Sequence, residues 1–182
     1  MTQRRPTLEL QCASQPLSIP VSYLLNVGYA GRNHAAVQQH LQELARMGVS
    51  RPRQIPTVYP VSNNLATTSS AIQVQHQETS GEVEYVVVVG PRDLYVTVGS
   101  DHSDRALEQK SVSLAKQVCP NIVAPAVWRY QDVKGHWDEL ILRSWVSQKG
   151  DWRLYQEGTL GDLLPVEELL GLSREVLGAR NP

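Results

Sequence analysis

The sequence predicts an α+β fold built mostly of strand. Three observations carry this expectation: a β-branched hairpin pattern over residues 82–99, polar–apolar alternation at residues 8–12, and a capped amphipathic helix over residues 33–47.

The hairpin is the strongest local signal. Residues 82–89 and 94–99 are β-branched runs separated by Gly90-Pro91-Arg92-Asp93, the composition of a four-residue loop. Residues 21–27 form a further apolar stretch after Pro20, followed by a turn at residues 28–32. Asn33 then caps the helix, Val37, Leu41 and Leu44 form its buried stripe, and Gly48 stops it. Three prolines make residues 51–60 an extended, irregular connection, and residues 63–70 a polar loop follows. A short strand is expected at residues 72–74 and a helix at 106–117 with Leu107 and Leu114 inward. A strand is expected at 139–147, a turn at 155–158 and a last short helix at 163–170.

A chain of 182 residues suits one sizeable core, and no repeat, low-complexity segment or linker divides it. A single domain over residues 1–182 is therefore expected. Hydrophobic residues make up 41% and charged residues 19%, an ordinary globular balance. The net charge of -1 supplies no field for attracting nucleic acid or anionic membrane, so neither partner is expected. No apolar run approaches the length of a membrane span, and the N-terminal residues lack a signal-peptide apolar region, so the expected location is cytoplasmic. Cys12 and Cys119 are too few for a disulfide scaffold and read as reduced thiols.

The hairpin has a chemical consequence. Glu82 and Glu84 project from one face of a strand, roughly 7 Å apart. A loop pairing Val89 with Leu94 places Glu84 opposite Gly99 and Glu82 opposite Asp101, with facing Cβ atoms about 5 Å apart. Gly99 is expected to leave open space beside Glu84. Three converging carboxylates repel unless they protonate or share a cation, and all-oxygen ligation suits Mg²⁺, Mn²⁺ or Ca²⁺. The same residues also suit the solvated face of a hairpin end.

Residues 80–90, Ser-Gly-Glu-Val-Glu-Tyr-Val-Val-Val-Val-Gly, resemble the metal-binding strand of the fumarylacetoacetate hydrolase superfamily, and residues 99–105 resemble the segment supplying its third ligand. The resemblance implies that Glu82, Glu84 and Asp101 hold Mg²⁺ or Mn²⁺. His40-Leu41-Gln42-Glu43 is similar to the family's H-x-x-E lid motif, which acts on a water. Lys116, just before Cys119-Pro120, resembles its active-site lysine, and residues 155–159 its Q-x-G-x-T turn. The likeness covers residues 21–173 and implies a mixed β-roll or barrel with a few peripheral helices, and a homodimer. Three departures stand out: the Glu84–Asp101 spacing is short, Val58-Tyr59-Pro60-Val61 replaces an F-x-K-P stretch, and the chain ends at Pro182 where the family continues into Pro-Gly-Asp and Gly-Thr-Pro segments.

Several residues keep two readings. His40 and Glu43, three apart on one helix, are close enough for the carboxylate to orient the imidazole, and equally ordinary as surface residues. Lys116 has Lys110 as a rival for supporting an anion. Asp104 and Arg105 either fix the direction of Asp101 or form a surface charge pair. His136-Trp137-Asp138 reads as structural, and Trp128, Trp137 and Trp145 as core or dimer-interface anchors. The expected function is divalent-metal-dependent hydrolysis or lysis of a small 2-oxo acid or β-dicarbonyl compound through an enolate. The alternatives are an inactive metal-binding remnant with a binding or structural role, and a structural Ca²⁺ site.

Overall fold

A computed structural model describes residues 5–180 of the chain. Strands β1 (Thr7–Cys12) and β2 (Gln15–Pro20) form an antiparallel hairpin. The alternation of β1 buries Leu8 and Leu10 while Thr7, Glu9 and Gln11 face solvent. Strand β3 (Leu24–Gly28) leads into α1 (His34–Arg46). Asn33 Oδ1 accepts from the Ala36 amide at 3.1 Å, satisfying a free helix-end donor, and Gly48 just beyond the helix has φ 87°. Val37 and Leu41 are buried and Leu44 is half-buried, the stripe expected of this helix.

The proline-rich stretch ends in a strand, β4 (Thr57–Val61), which pairs with β3 so that Asn26 faces Tyr59. After the short β5 (Ala66–Thr67), residues 72–74 form no strand; Ile72 is half-buried and Val74 exposed. Strand β6 (Thr79–Ser80) precedes the long hairpin of β7 (Val83–Val89) and β8 (Leu94–Ser100). Its register pairs Val89 with Leu94 and Glu84 with Gly99, and the Asp101 amide donates to the Glu82 carbonyl at 3.0 Å. The alternation and loop length thus set the pairing as expected.

Strand β9 (Ser103–Asp104) pairs with β6, and two short helices follow, α2 (Arg105–Glu108) and α3 (Val112–Gln117). The single helix expected over residues 106–117 is broken because Ser111 caps a new one, its hydroxyl accepting from the Leu114 amide at 3.4 Å. The break rotates the second half. Leu114 is 55% exposed, and Ala115 and Lys116 point inward in its place.

Strands β10 (Asn121–Val123) and β11 (Ala126–Arg129), helix α4 (Tyr130–Val133), strands β12 (Ile141–Gln148) and β13 (Asp151–Thr159), and helix α5 (Val166–Arg180) complete the order. The turn expected at residues 155–158 lies inside β13. The reversal falls instead at Lys149 and Gly150, with φ 56° and 92°, both in the left-handed region. The last helix begins after Pro165, beyond the expected start, and runs further than expected.

The main sheet runs β2–β1–β11–β8–β10–β5, with β7 on the other edge of β8. Both faces of the β7–β8 hairpin are covered, as its unbroken valine run requires. One face packs Val88, Tyr95, Val123 and Val127 against Leu8, Leu10, Ile19 and Val21; the other packs Tyr85 and Val96 against Tyr130, Trp137, Leu160 and Val166. Trp137 meets Tyr85 and Tyr130 edge-on, at 5.2 and 5.5 Å, and is the core anchor of that layer. Trp128 and Trp145 are each 54% exposed and are not core residues. Among the described residues, no helix is long and apolar enough to cross a membrane. Cys12 and Cys119 are both free thiols.

Candidate metal and substrate site

The β7–β8 register carries Glu82, Glu84 and Asp101 on the face of the hairpin that also bears Val86, Val88 and Tyr95. Gly99 does not leave open space beside Glu84. A Cβ there would lie 2.5 Å from the Ile122 carbonyl oxygen and 2.6 Å from Val86 Cγ2, so the glycine serves the close approach of β10 to β8.

Each carboxylate has its own surroundings. Asp101 is buried; Asn26 Nδ2 donates to its Oδ1 and Lys116 Nζ to its Oδ2. Lys116 is 5% exposed, with the Tyr59 ring centroid 5.9 Å from its ammonium, whereas Lys110 stands in solvent. The inward turn of α3 therefore selects Lys116. Glu82 is held by Arg105 at 2.8 Å, and the same guanidinium binds both oxygens of Glu108 at 2.9 Å and Ser80 Oγ at 2.7 Å. Arg105 thus positions Glu82 rather than Asp101. Asp104 caps α2 through the Leu107 amide and meets His76 Nδ1 at 2.5 Å, so it too faces away from Asp101.

Glu84 differs from both. Part of its surface opens to a cavity, yet protein surrounds its carboxyl closely enough that burial pushes its pKa up to about 8. Asp101 and then Glu82 add to the rise, and Lys116 opposes it. Glu84 therefore keeps a proton at neutral pH when no other cation is near. A carboxyl under this pressure, beside two more oxygen donors, fits a hard divalent ion in chemistry. Among the described residues, no group of three or more His, Cys, Asp or Glu side chains is arranged to hold an ion as it stands. Arg105 and Lys116 pair with oxygens of Glu82 and Asp101.

His40 and Glu43 lie on the exposed side of α1. Glu43 accepts from Gln39 at 3.1 Å, one turn back, and does not take the imidazole as its partner. His40 stacks obliquely on Tyr29, ring centroids 6.4 Å apart, and Tyr29 adopts φ 60° in the β3–α1 turn. Burial pushes the Tyr29 phenol up, and Tyr59, Glu108 and Glu82 add to that, which puts Tyr29 between α1 and the carboxylates. Asn26 and Tyr59 escaped sequence reasoning. Their one legible signal was a polar residue inside the apolar run Leu24-Leu25-Asn26-Val27. Asp138 pairs with Arg32 in a two-pronged contact at 2.7 and 2.9 Å, so the His136-Trp137-Asp138 segment is structural.

A cavity of about 810 Å³ opens from this site, lined at one end by Glu84, Asp101, Asn26 and Asn121. It continues along β7 toward the hairpin loop, walled by α5 and by residues 19–27. A model of the family described as "Protein of unknown function (DUF2848)" matches residues 27–181. The chain belongs to that family. No curated protein matches it in sequence. In structure it is similar to a candidate fumarylpyruvate hydrolase from Burkholderia cenocepacia, with a TM-score of 0.63 and 21% identity over 93% of this chain and 75% of that one. It is also similar to Cg1458 with inhibitor, with a TM-score of 0.61 and 16% identity over 85% of this chain and 62% of that one. A further Cg1458 structure gives 0.60 and 15%, over 93% and 72%. These likenesses show the fold alone, a mixed sheet with peripheral helices.

Proposed function

We propose that this protein is a divalent-metal-dependent hydrolase or lyase acting on a small 2-oxo acid or β-dicarbonyl compound through an enolate. The observation that carries the reading is the pressure on Glu84, a protonated carboxyl set beside Asp101 and Glu82 at the mouth of a ligand-sized cavity. Glu82, Glu84 and Asp101 would hold Mg²⁺ or Mn²⁺. A bound ion supplies a Lewis acid that draws on the substrate oxygens and stabilises enolate charge. Lys116, released from Asp101, supports the developing anion, and Asn26 keeps Asp101 directed toward the cavity. His40 is the base proposed for water, with Glu43 its partner once Glu43 exchanges Gln39 for the imidazole. The working unit is proposed to be one domain, in a cytoplasmic homodimer. The fold of the candidate fumarylpyruvate hydrolase supports this reading.

Calorimetric titration with Mn²⁺ tests it. The expected result is binding by the native chain and none by Glu82→Ala with unchanged circular dichroism, together with turnover in a panel of acylpyruvates and oxaloacetate. Equal Mn²⁺ affinity in the two proteins would sink the metal site. The hold that Arg105 and Lys116 keep on two of the carboxylates favours a second reading, an inactive member of the fold with a binding role. Metal binding without turnover across the panel would select it.

A further inference from the structure

Strands β12 and β13 form a two-stranded sheet of their own, outside the main sheet. The inner face of this hairpin is occupied. Leu142 packs against the core layer around Trp137, and Gln156 accepts from the Val83 amide at 2.8 Å. Trp145 pairs with Leu154 and Ser147 with Trp152, and directly opposed residues share one side, which fixes the outer face. Alternation along β12 puts Ile141 on that face too. Trp145, Leu154, Trp152 and Ile141 are 54%, 51%, 73% and 57% exposed, and Tyr155, the extra residue at the β-bulge beside them, is 49% exposed. An aromatic side chain carries about 150–250 Å², so these five residues leave on the order of 600 Å² of apolar surface in water. An apolar patch of that size on a folded chain marks a surface that binds a partner.

We infer that the outer face of the β12–β13 hairpin is the surface on which two copies of this chain meet about a two-fold axis. It rests on the homodimer of the proposed function and not on the metal chemistry. Area and charge both name a second copy as the occupant. A stable interface takes about 800 Å² from each partner, which the apolar face and its polar rim together supply. Arg143 and Glu157 stand opposite each other on this same face, Arg143 Nε donating to Glu157 Oε2. A two-fold contact brings residue i onto j and j onto i, so a face holding one charge of each sign complements its own copy. Each Arg143 then meets the partner's Glu157 while the tryptophans pack at the centre. A nucleic acid or an anionic membrane would need an excess of positive charge, and the Arg143–Glu157 pair is neutral.

The test is sedimentation equilibrium of the full chain from nanomolar to micromolar concentration. The native chain is expected to dimerise, and Trp145→Lys to weaken the dimer at least about thirtyfold with unchanged circular dichroism. Trp128→Lys, which alters an equally exposed tryptophan on β11, should leave the dimer intact. Charge reversal gives a readout that does not depend on packing. Arg143→Glu and Glu157→Arg should each weaken self-association about tenfold, and an equimolar mixture of the two should regain it as a mixed dimer. A native chain that stays monomeric throughout would overturn both this surface and the proposed homodimer, while the metal chemistry keeps its own calorimetric test. A dimer unchanged by Trp145→Lys, or weakened as much by Trp128→Lys, would overturn the surface alone. No recovery in the mixture would overturn the two-fold pairing of Arg143 with Glu157.

Discussion

Lys116 reaches from α3 to donate its ammonium to Asp101, and both side chains are almost wholly inside the protein. The pair joins the hairpin to the helix that follows it, so it bears on stability as well as on chemistry. Removing one partner leaves the other charge buried alone, a loss on the order of 3 kcal/mol. Lys116→Met is expected to lower the unfolding free energy of the metal-free protein, read from urea titration, by that amount, and so to lower the midpoint, with part of it restored by Mn²⁺. An unchanged midpoint would show that the pair is solvated.

The Glu84 carboxyl gives the metal-free protein a pH dependence of definite sign. Folded Glu84 holds its proton up to about pH 8, whereas in the unfolded chain it ionises near the ordinary glutamate value of 4.5. Between these limits the unfolded state binds fewer protons, so stability falls as pH rises, by at most about 1.4 kcal/mol per unit. Urea titrations from acid to pH 8 should show that fall, and Glu84→Gln should flatten it.

Arg105 competes with a metal ion for Glu82. Arg105→Met is expected to raise Mn²⁺ affinity about fivefold at low salt, roughly 1 kcal/mol for a half-exposed ion pair. A drop in affinity would mean that Arg105 chiefly aims Glu82 at the ion.

Two glycines predict opposite outcomes. Gly99→Ala forces a Cβ onto the Ile122 carbonyl oxygen and Val86, and should cost about 1–3 kcal/mol. Gly171, within α5, has nothing within 4 Å of its added Cβ, so Gly171→Ala should stabilise by about 0.5–1 kcal/mol. Thermal unfolding of both variants, side by side, reads the contrast.

The sequence by itself determined what local periodicity and loop length can encode. Alternation and the four-residue loop set the pairing of Glu84 with Gly99, and so the common face of Glu82, Glu84 and Asp101. The Asn33 cap likewise placed the start of α1. Tertiary structure decided the rest. Asn26 and Asp101 are 75 residues apart, and their contact depends on how the β3–β4 hairpin docks on the sheet. The choice of Lys116 over Lys110 and the outward turn of Leu114 followed from the cap at Ser111, where a side-chain hydrogen bond outcompeted a continuous helix. Periodicity assigns a residue to a face of its own element; which charge meets it there is settled only when the elements pack.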